Sequence, residues 1–169
     1  TNGATTSTHV DGGAGVGAGP WGNAQNTQML FGGGGGGSCC AAGGWSAGGG
    51  QGGGIILLIA PTITINSGGI IRANGGNGLD TGSGPGSGAG GGGCVLLKCR
   101  TASIGTNQIT AAGGTGGASP NYGGNGGQGR LNVDYKTSYT GSAAGLGTNY
   151  RQDLTLNPFS MGGGAAMLL

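Results

Sequence analysis

Apolar residues in this chain are gathered into a few short runs, and glycine fills most of the space between them. Ile55-Ile56-Leu57-Leu58-Ile59-Ala60 is apolar at every position. That pattern predicts a strand buried on both faces. Thr62-Ile63-Thr64-Ile65 alternates, which predicts a strand with one polar face. Asn66-Ser67-Gly68-Gly69 and Gly105-Thr106-Asn107 are turn signals. Helix signals are nearly absent, because Gly is too frequent and Ala too scattered to sustain one.

The runs recur. One unit reads Gly52-Gly53-Gly54, then 55–59, then Thr62-Ile63-Thr64-Ile65, then Ile71-Arg72-Ala73-Asn74-Gly75-Gly76-Asn77-Gly78. A second reads Gly91-Gly92-Gly93, Cys94-Val95-Leu96-Leu97, Thr101-Ala102-Ser103-Ile104, then Ile109-Thr110-Ala111-Ala112-Gly113-Gly114-Thr115-Gly116. The units are about 38 residues apart, a spacing typical of stacked repeats. A degenerate third unit begins at Gly126-Gly127-Gln128-Gly129 and continues into Arg130-Leu131-Asn132-Val133-Asp134-Tyr135. Each unit buries its faces only by stacking on a neighbour. The expected fold is all-β: stacked short strands in a β-solenoid or small sandwich, polyglycine-II-like segments packed alongside, and almost no helix.

Composition changes the picture of the glycines. There are 50 among 169 residues, about four times the usual share of roughly 7%. They come in blocks such as 32–37 and 90–93, and only five prolines accompany them. Collagen, which needs Gly at every third position and abundant Pro, is excluded. A flexible linker does not alternate with runs as apolar as 55–60. Ordering polyglycine costs more backbone entropy than ordering any other sequence. With no side chains to pack, its peptide groups have to pair with neighbouring backbone. Charged residues are only 6% of the chain, and the net charge is +2. No basic patch offers a nucleic-acid footprint, and no polybasic cluster offers a membrane anchor.

The chain divides by texture into a polar segment 1–31, a glycine-rich repeat core 32–135 and a segment 136–169, all within one domain. The first segment contains Pro20-Trp21 and ends on Met29-Leu30-Phe31. The last holds Tyr139 and Tyr150 and finishes Ala165-Ala166-Met167-Leu168-Leu169. That apolar end either tucks into its own core or inserts into a neighbouring subunit by strand addition. The chain opens at Thr1 with no signal peptide, and no apolar stretch reaches the roughly 20 residues that span a bilayer. It reads as a processed or trimmed chain, consistent with export.

Catalytic chemistry is sparse. His9, the one histidine, stands in a polar stretch and reads as a solvated side chain. The acids are Asp11, Asp80, Asp134 and Asp153, and their spacing suggests no carboxylate pair. The glycine blocks mimic phosphate loops, but none is followed by Lys-Ser or Lys-Thr and a helix. No enzyme activity, metal or cofactor is expected. Cys39, Cys40, Cys94 and Cys99 do not match zinc-knuckle spacing. Cys94 and Cys99 would face opposite sides of one strand, and a vicinal Cys39–Cys40 bond is strained. Disulfides between the two pairs remain, as do buried free thiols. Trp21, Trp45, Tyr122, Tyr139 and Tyr150 lie mostly among glycines and polar residues. They serve either as exposed contacts for a partner or as caps packed flat on bare glycine backbone.

The sequence of glycine block, Ile55-Ile56-Leu57-Leu58-Ile59-Ala60-Pro61-Thr62-Ile63-Thr64-Ile65-Asn66 and Ile71-Arg72-Ala73-Asn74-Gly75-Gly76-Asn77-Gly78 resembles glycine-rich repeat domains of tailed-phage fibres and large bacterial surface proteins. The second unit and Gly123-Gly124-Asn125-Gly126-Gly127-Gln128-Gly129-Arg130-Leu131 fit the same pattern. The resemblance covers about 32–135 and neither terminal segment. It implies an extracellular or virion-surface location and a role in fibre structure or adhesion. The long β runs and the four cysteines depart from the fibre-tip adhesins of that kind. Two functions are therefore expected: a self-assembling subunit of a surface filament or virion fibre, partnered by copies of itself, or an adhesin binding a cell-surface glycan or protein. Regular Thr and Gly content raises an ice- or mineral-binding surface as a third class, though no flat Thr array is evident.

Overall fold

The computed structural model describes residues 5–6, 9–10, 27–40, 46–80, 84–118, 122–144 and 148–155. Among them there is no helix. The strands are β1 (Thr5–Thr6), β2 (His9–Val10), β3 (Ser38–Cys40), β4 (Ser46–Ala47), β5 (Ile55–Thr64), β6 (Ile71–Arg72), β7 (Cys94–Thr110), β8 (Arg130–Ala144) and β9 (Thr148–Gln152). β1 to β4 form a small antiparallel sheet in chain order. The main sheet is parallel, in the order β5-β7-β8-β9, with β6 also paired to β7.

The register of that sheet is the sequence repeat made physical. Ile55 lies beside Cys94, thirty-nine positions on, and Cys94 beside Arg130, thirty-six further on. The degenerate third unit is thus a full member of the stack. Each unit runs out, turns and comes back. In the first, Gly69 N–H donates to Asn66 C=O at 2.9 Å, and Gly68 takes φ +88°. In the second, the expected break at Gly105-Thr106-Asn107 falls inside one continuous strand. Asn107 bends it with φ +56°, and the Gln108 carboxamide accepts from Gly105 N–H at 2.8 Å. The return strand β6 pairs with the return end of β7, Ile71 beside Ile109.

The core lies inside these turns. Val95, Leu97, Cys99, Ala102, Ile104 and Ile109 of β7 pack with Leu131 and Val133 of β8, all buried. β7 is the central strand, and Cys94 through Leu97 are buried on both faces. The expectation of two buried faces for 55–60 is corrected: Leu57 is 50% exposed and Leu58 38%. The reason is position, since β5 pairs only with β7 and ends the sheet on that side. Pro61, which cannot donate to a ladder, is tolerated at such an edge. β8 runs through residue 135 to Ala144, and β9 joins the same sheet.

Between the strand units lie three glycine hairpins, with legs 32–37 and 48–54, 73–79 and 85–93, and 111–117 and 122–129. Each is closed at its base or along its length by backbone bonds, such as Gly93 N–H to Ala73 C=O at 2.8 Å and Gly129 N–H to Ala111 C=O at 2.7 Å. Leg 85–93 is the axis, and every residue from 84 to 93 is buried. Its N–H groups are shared in steps of three. Gly90 and Gly93 donate to leg 73–79, Gly88 and Gly91 to leg 32–37, and Ala89 and Gly92 to leg 122–129. Its carbonyls at 88 and 91 accept from Gly50 and Gly53, and those at 87 and 90 from Gly117 and Gly114. All these bonds are 2.8–2.9 Å long, so the buried peptide groups find partners without side chains.

Where two legs touch through glycine, a side chain does not fit. A Cβ on Gly90 would lie 1.9 Å from Gln51 O, and one on Gly126 1.9 Å from Gly90 O. Exposure follows the same three-residue step: Phe31, Gly34 and Gly37 on one leg, Tyr122, Asn125 and Gln128 on another. The larger polar residues of the legs, Gln51, Asn74, Asn77, Thr115, Asn125 and Gln128, occupy outward positions, while Ser87 and Ala89 of the axis leg are buried.

Candidate functional site

Three features carry whatever chemistry the described residues offer: the ends of the main sheet, an ion cluster beneath one of them, and the outward rows of the glycine legs.

The β9 end is charged. Lys98, Asp134 and Arg151 occupy one register row across β7, β8 and β9. The Asp134 side chain is 1% exposed. Its carboxylate accepts from Arg151 Nε at 3.2 Å and Nη2 at 3.0 Å, and from Asn132 Nδ2 at 3.0 Å. Lys98 Nζ stands 3.9 Å away. Arg151 also reaches Asp153 at 3.7 Å. Asp153 in turn accepts from the Thr155 N–H and hydroxyl. Two of the four acids thus meet through one guanidinium, a convergence that their spacing along the chain does not reveal. Arg151 holds the two carboxylates in an ion cluster that pins β9 to the sheet.

Above the cluster, Tyr139 sits between Tyr135 and Tyr150, with ring centroids 5.6 and 4.5 Å away. These rings pack on one another. Burial, aided by the neighbouring Tyr150, pushes the Tyr139 phenol above its ordinary range. Tyr150 is 40% exposed at the edge, and Tyr122 is 74% exposed at the start of its leg. Trp21, Trp45, Met167, Leu168 and Leu169 lie outside the described residues, as do the side chains of His9 and Cys40.

Cys39 is an exposed free thiol on β3, and Cys94 and Cys99 are buried free thiols on β7. No disulfide joins these three, because Cys94 and Cys99 are enclosed in the strand core while Cys39 stands on the other sheet. Burial, and then the Asp134 charge, pushes the Cys99 thiol up to about 11. Among the described residues no group of three His, Cys, Asp or Glu side chains gathers to hold a metal ion.

The β5 end has the opposite character. The strand Ile55–Thr64 carries no charged residue. Leu57, Leu58 and, just before β6, the 51%-exposed Ile70 form its apolar rim.

The outward rows hold a device that sequence reasoning missed. Asn74 Oδ1 accepts from Ala112 N–H, Asn77 Oδ1 from Thr115 N–H and Asn125 Oδ1 from Gly116 N–H, at 2.8–3.0 Å. At the rim of the bundle a leg has solvent where it would otherwise have another leg. The carboxamide stands in for that missing carbonyl. The signal was the triplet spacing of Asn74, Asn77 and Asp80, and of Tyr122, Asn125 and Gln128.

Compared with protein-family models, curated proteins and solved structures, the chain matches none of them.

Proposed function

We propose that this chain is a non-enzymatic structural protein of an extracellular or virion surface, a self-assembling subunit of a filament or fibre. The observation that carries this reading is the β5 edge, an uncharged strand ten residues long with leucines standing in solvent. An open strand edge is a template for pairing with another chain. Proteins that remain monomers usually blunt such an edge with charge, as the β9 end does with Arg151. The scaffold behind it is read as a polyglycine-II-like bundle fused to a β-solenoid. The three-residue step of its hydrogen bonds and of its exposure supports this, since an extended glycine helix has three residues per turn. The extracellular placement is supported by the fibre-like sequence pattern and by the scarcity of charge.

Light scattering and negative-stain imaging of the purified full chain test the reading. Regular assemblies are expected, and a stable monomer at every concentration overturns it.

A second reading, a fibre-tip adhesin for a cell-surface glycan or protein, is favoured by one observation. Among the described residues the most exposed large hydrophobic side chains, Phe31 and Tyr122, stand on outward positions of the glycine legs. Substituting both with Ala would abolish cell binding if they serve as contacts.

A further inference from the structure

We infer that the β5 edge pairs with the same edge of a second copy, antiparallel, about a two-fold axis through Leu57. This rests on the self-assembly reading and names its first contact.

Backbone direction sets the register. Cys94 N–H donates to Gly54 C=O at 3.1 Å, so the Gly54 carbonyl faces β7. Successive residues of a strand turn their polar groups to alternate sides. Ile55, Leu57 and Ile59 therefore present both N–H and C=O outward. An antiparallel partner exchanges two hydrogen bonds at each directly opposed outward pair. Placing Leu57 opposite its own counterpart sets Ile55 opposite Ile59 of the second copy, and Ile59 opposite its Ile55. These three residues are satisfied in one register. Leu57 and Leu58 are covered at the same time.

The other way of joining copies, β9 of one against β5 of the next, meets two obstacles. The stack's register puts Leu58 in the row of Leu97, Val133 and Tyr150, and Ile59 in the row of Lys98, Asp134 and Arg151. Continuing those rows sets Arg151, whose side chain is 46% exposed, against an aliphatic strand with no acid to receive it. Burying that charge beside Leu and Ile is costly. In addition, β8 and β9 are separated by three residues where the earlier units carry a glycine hairpin. A copy stacked beyond β9 would leave a leg's width unfilled in the bundle. The two-fold arrangement has neither obstacle. It is also isologous and closes on itself, so the dimer is the unit that any longer fibre is built from.

The test uses the full chain with Cys39→Ser and Cys40→Ser, which leaves the buried Cys94 and Cys99 as its native thiols. Leu57→Cys is then introduced and mildly oxidised. Directly opposed residues in a hydrogen-bonded antiparallel pair have Cα atoms about 5.5 Å apart, within disulfide reach. A Leu57–Leu57 linked dimer on a non-reducing gel, confirmed by peptide mass, is the expected result. In parallel, Leu57→Lys should weaken the dimer at least about tenfold by light scattering, with an unchanged circular dichroism spectrum. Cross-linking that appears only when Asn149→Cys, the β9 residue in the row of Leu57, accompanies Leu57→Cys overturns the two-fold contact and leaves self-assembly standing. Assemblies indifferent to Leu57→Lys overturn the β5 edge as the contact. A wild-type chain that is monomeric throughout overturns both this inference and the reading beneath it.

Discussion

Arg151 grips Asp134 with two of its guanidinium nitrogens, Nε at 3.2 Å from one carboxylate oxygen and Nη2 at 3.0 Å from the other. The acid is buried and the base half in water, so the two partners are not equivalent. Removing Arg151 leaves a buried charge with only Asn132 and the more distant Lys98. Removing the charge of Asp134 leaves an arginine that water can reach. Breaking a buried pair from the side that strands the charge costs about 3 kcal/mol or more. Arg151→Met is therefore expected to destabilise the chain more than Asp134→Asn. Urea denaturation of both variants checks this, and equal losses would refute the asymmetry.

Gly90 and Gly54 are a matched pair for the packing of the bundle. A Cβ on Gly90 meets the Gln51 carbonyl at 1.9 Å, and one on Gly54 meets nothing within 4 Å. Gly90→Ala forces the axis leg away from its neighbours and should cost about 3 kcal/mol or more. Gly54→Ala should leave stability within about 1 kcal/mol of the wild type. Thermal unfolding of the two variants decides the matter.

Cys99 gives the fold an alkaline limit. Its thiol ionises at about 9 in the open chain and about 11 when buried. Above pH 9 the unfolded state sheds a proton that the folded state keeps. Stability is thus undiminished below pH 9 and falls as pH rises towards 11, by up to about 1.4 kcal/mol per pH unit from this group. Cys99→Ala should flatten that part of the pH profile, although Tyr139, also raised by burial, continues to contribute a fall at higher pH. The buried thiolate is correspondingly scarce at neutral pH. Iodoacetamide should label Cys39 in the folded protein and leave Cys99 untouched until it unfolds.

Asn77 substitutes for a missing neighbour at the rim, so its loss should be local. Asn77→Ala frees the Thr115 N–H to water, which replaces much of the lost bond. A destabilisation of under about 1 kcal/mol is expected. Faster hydrogen exchange at Thr115, with exchange at Gly88 unchanged, is the diagnostic readout.

Much of the fold was legible because glycine and aliphatic residues separate so cleanly along the chain. The repeat at 55 and 94 and the degenerate unit at 130 became neighbouring strands in the expected order. What could not be read was which unit ends the stack. Ile55 to Ala60 is as apolar as a central strand, and nothing local distinguishes it from Cys94 to Leu97. Only the absence of a partner beyond β5 exposes Leu57 and Leu58. The ion cluster was hidden for a related reason, since Asp134 and Arg151 are separated by sixteen residues and meet through strand register alone. The thiols of Cys94 and Cys99 stay apart from Cys39 because the interior of β7 claims them first.

One consequence of the glycine hairpins concerns length. Ala73 is already bonded to Gly93, and Ala111 to Gly129. The strand units would therefore meet whether or not the excursion between those residues existed. The step from β8 to β9 demonstrates it, because there the excursion has shrunk to three residues and the strands still pair. Reach and thickness are thereby uncoupled in this architecture. Strand units set how many layers the body has, while triplets added to or taken from both legs of a hairpin set how far it projects from them.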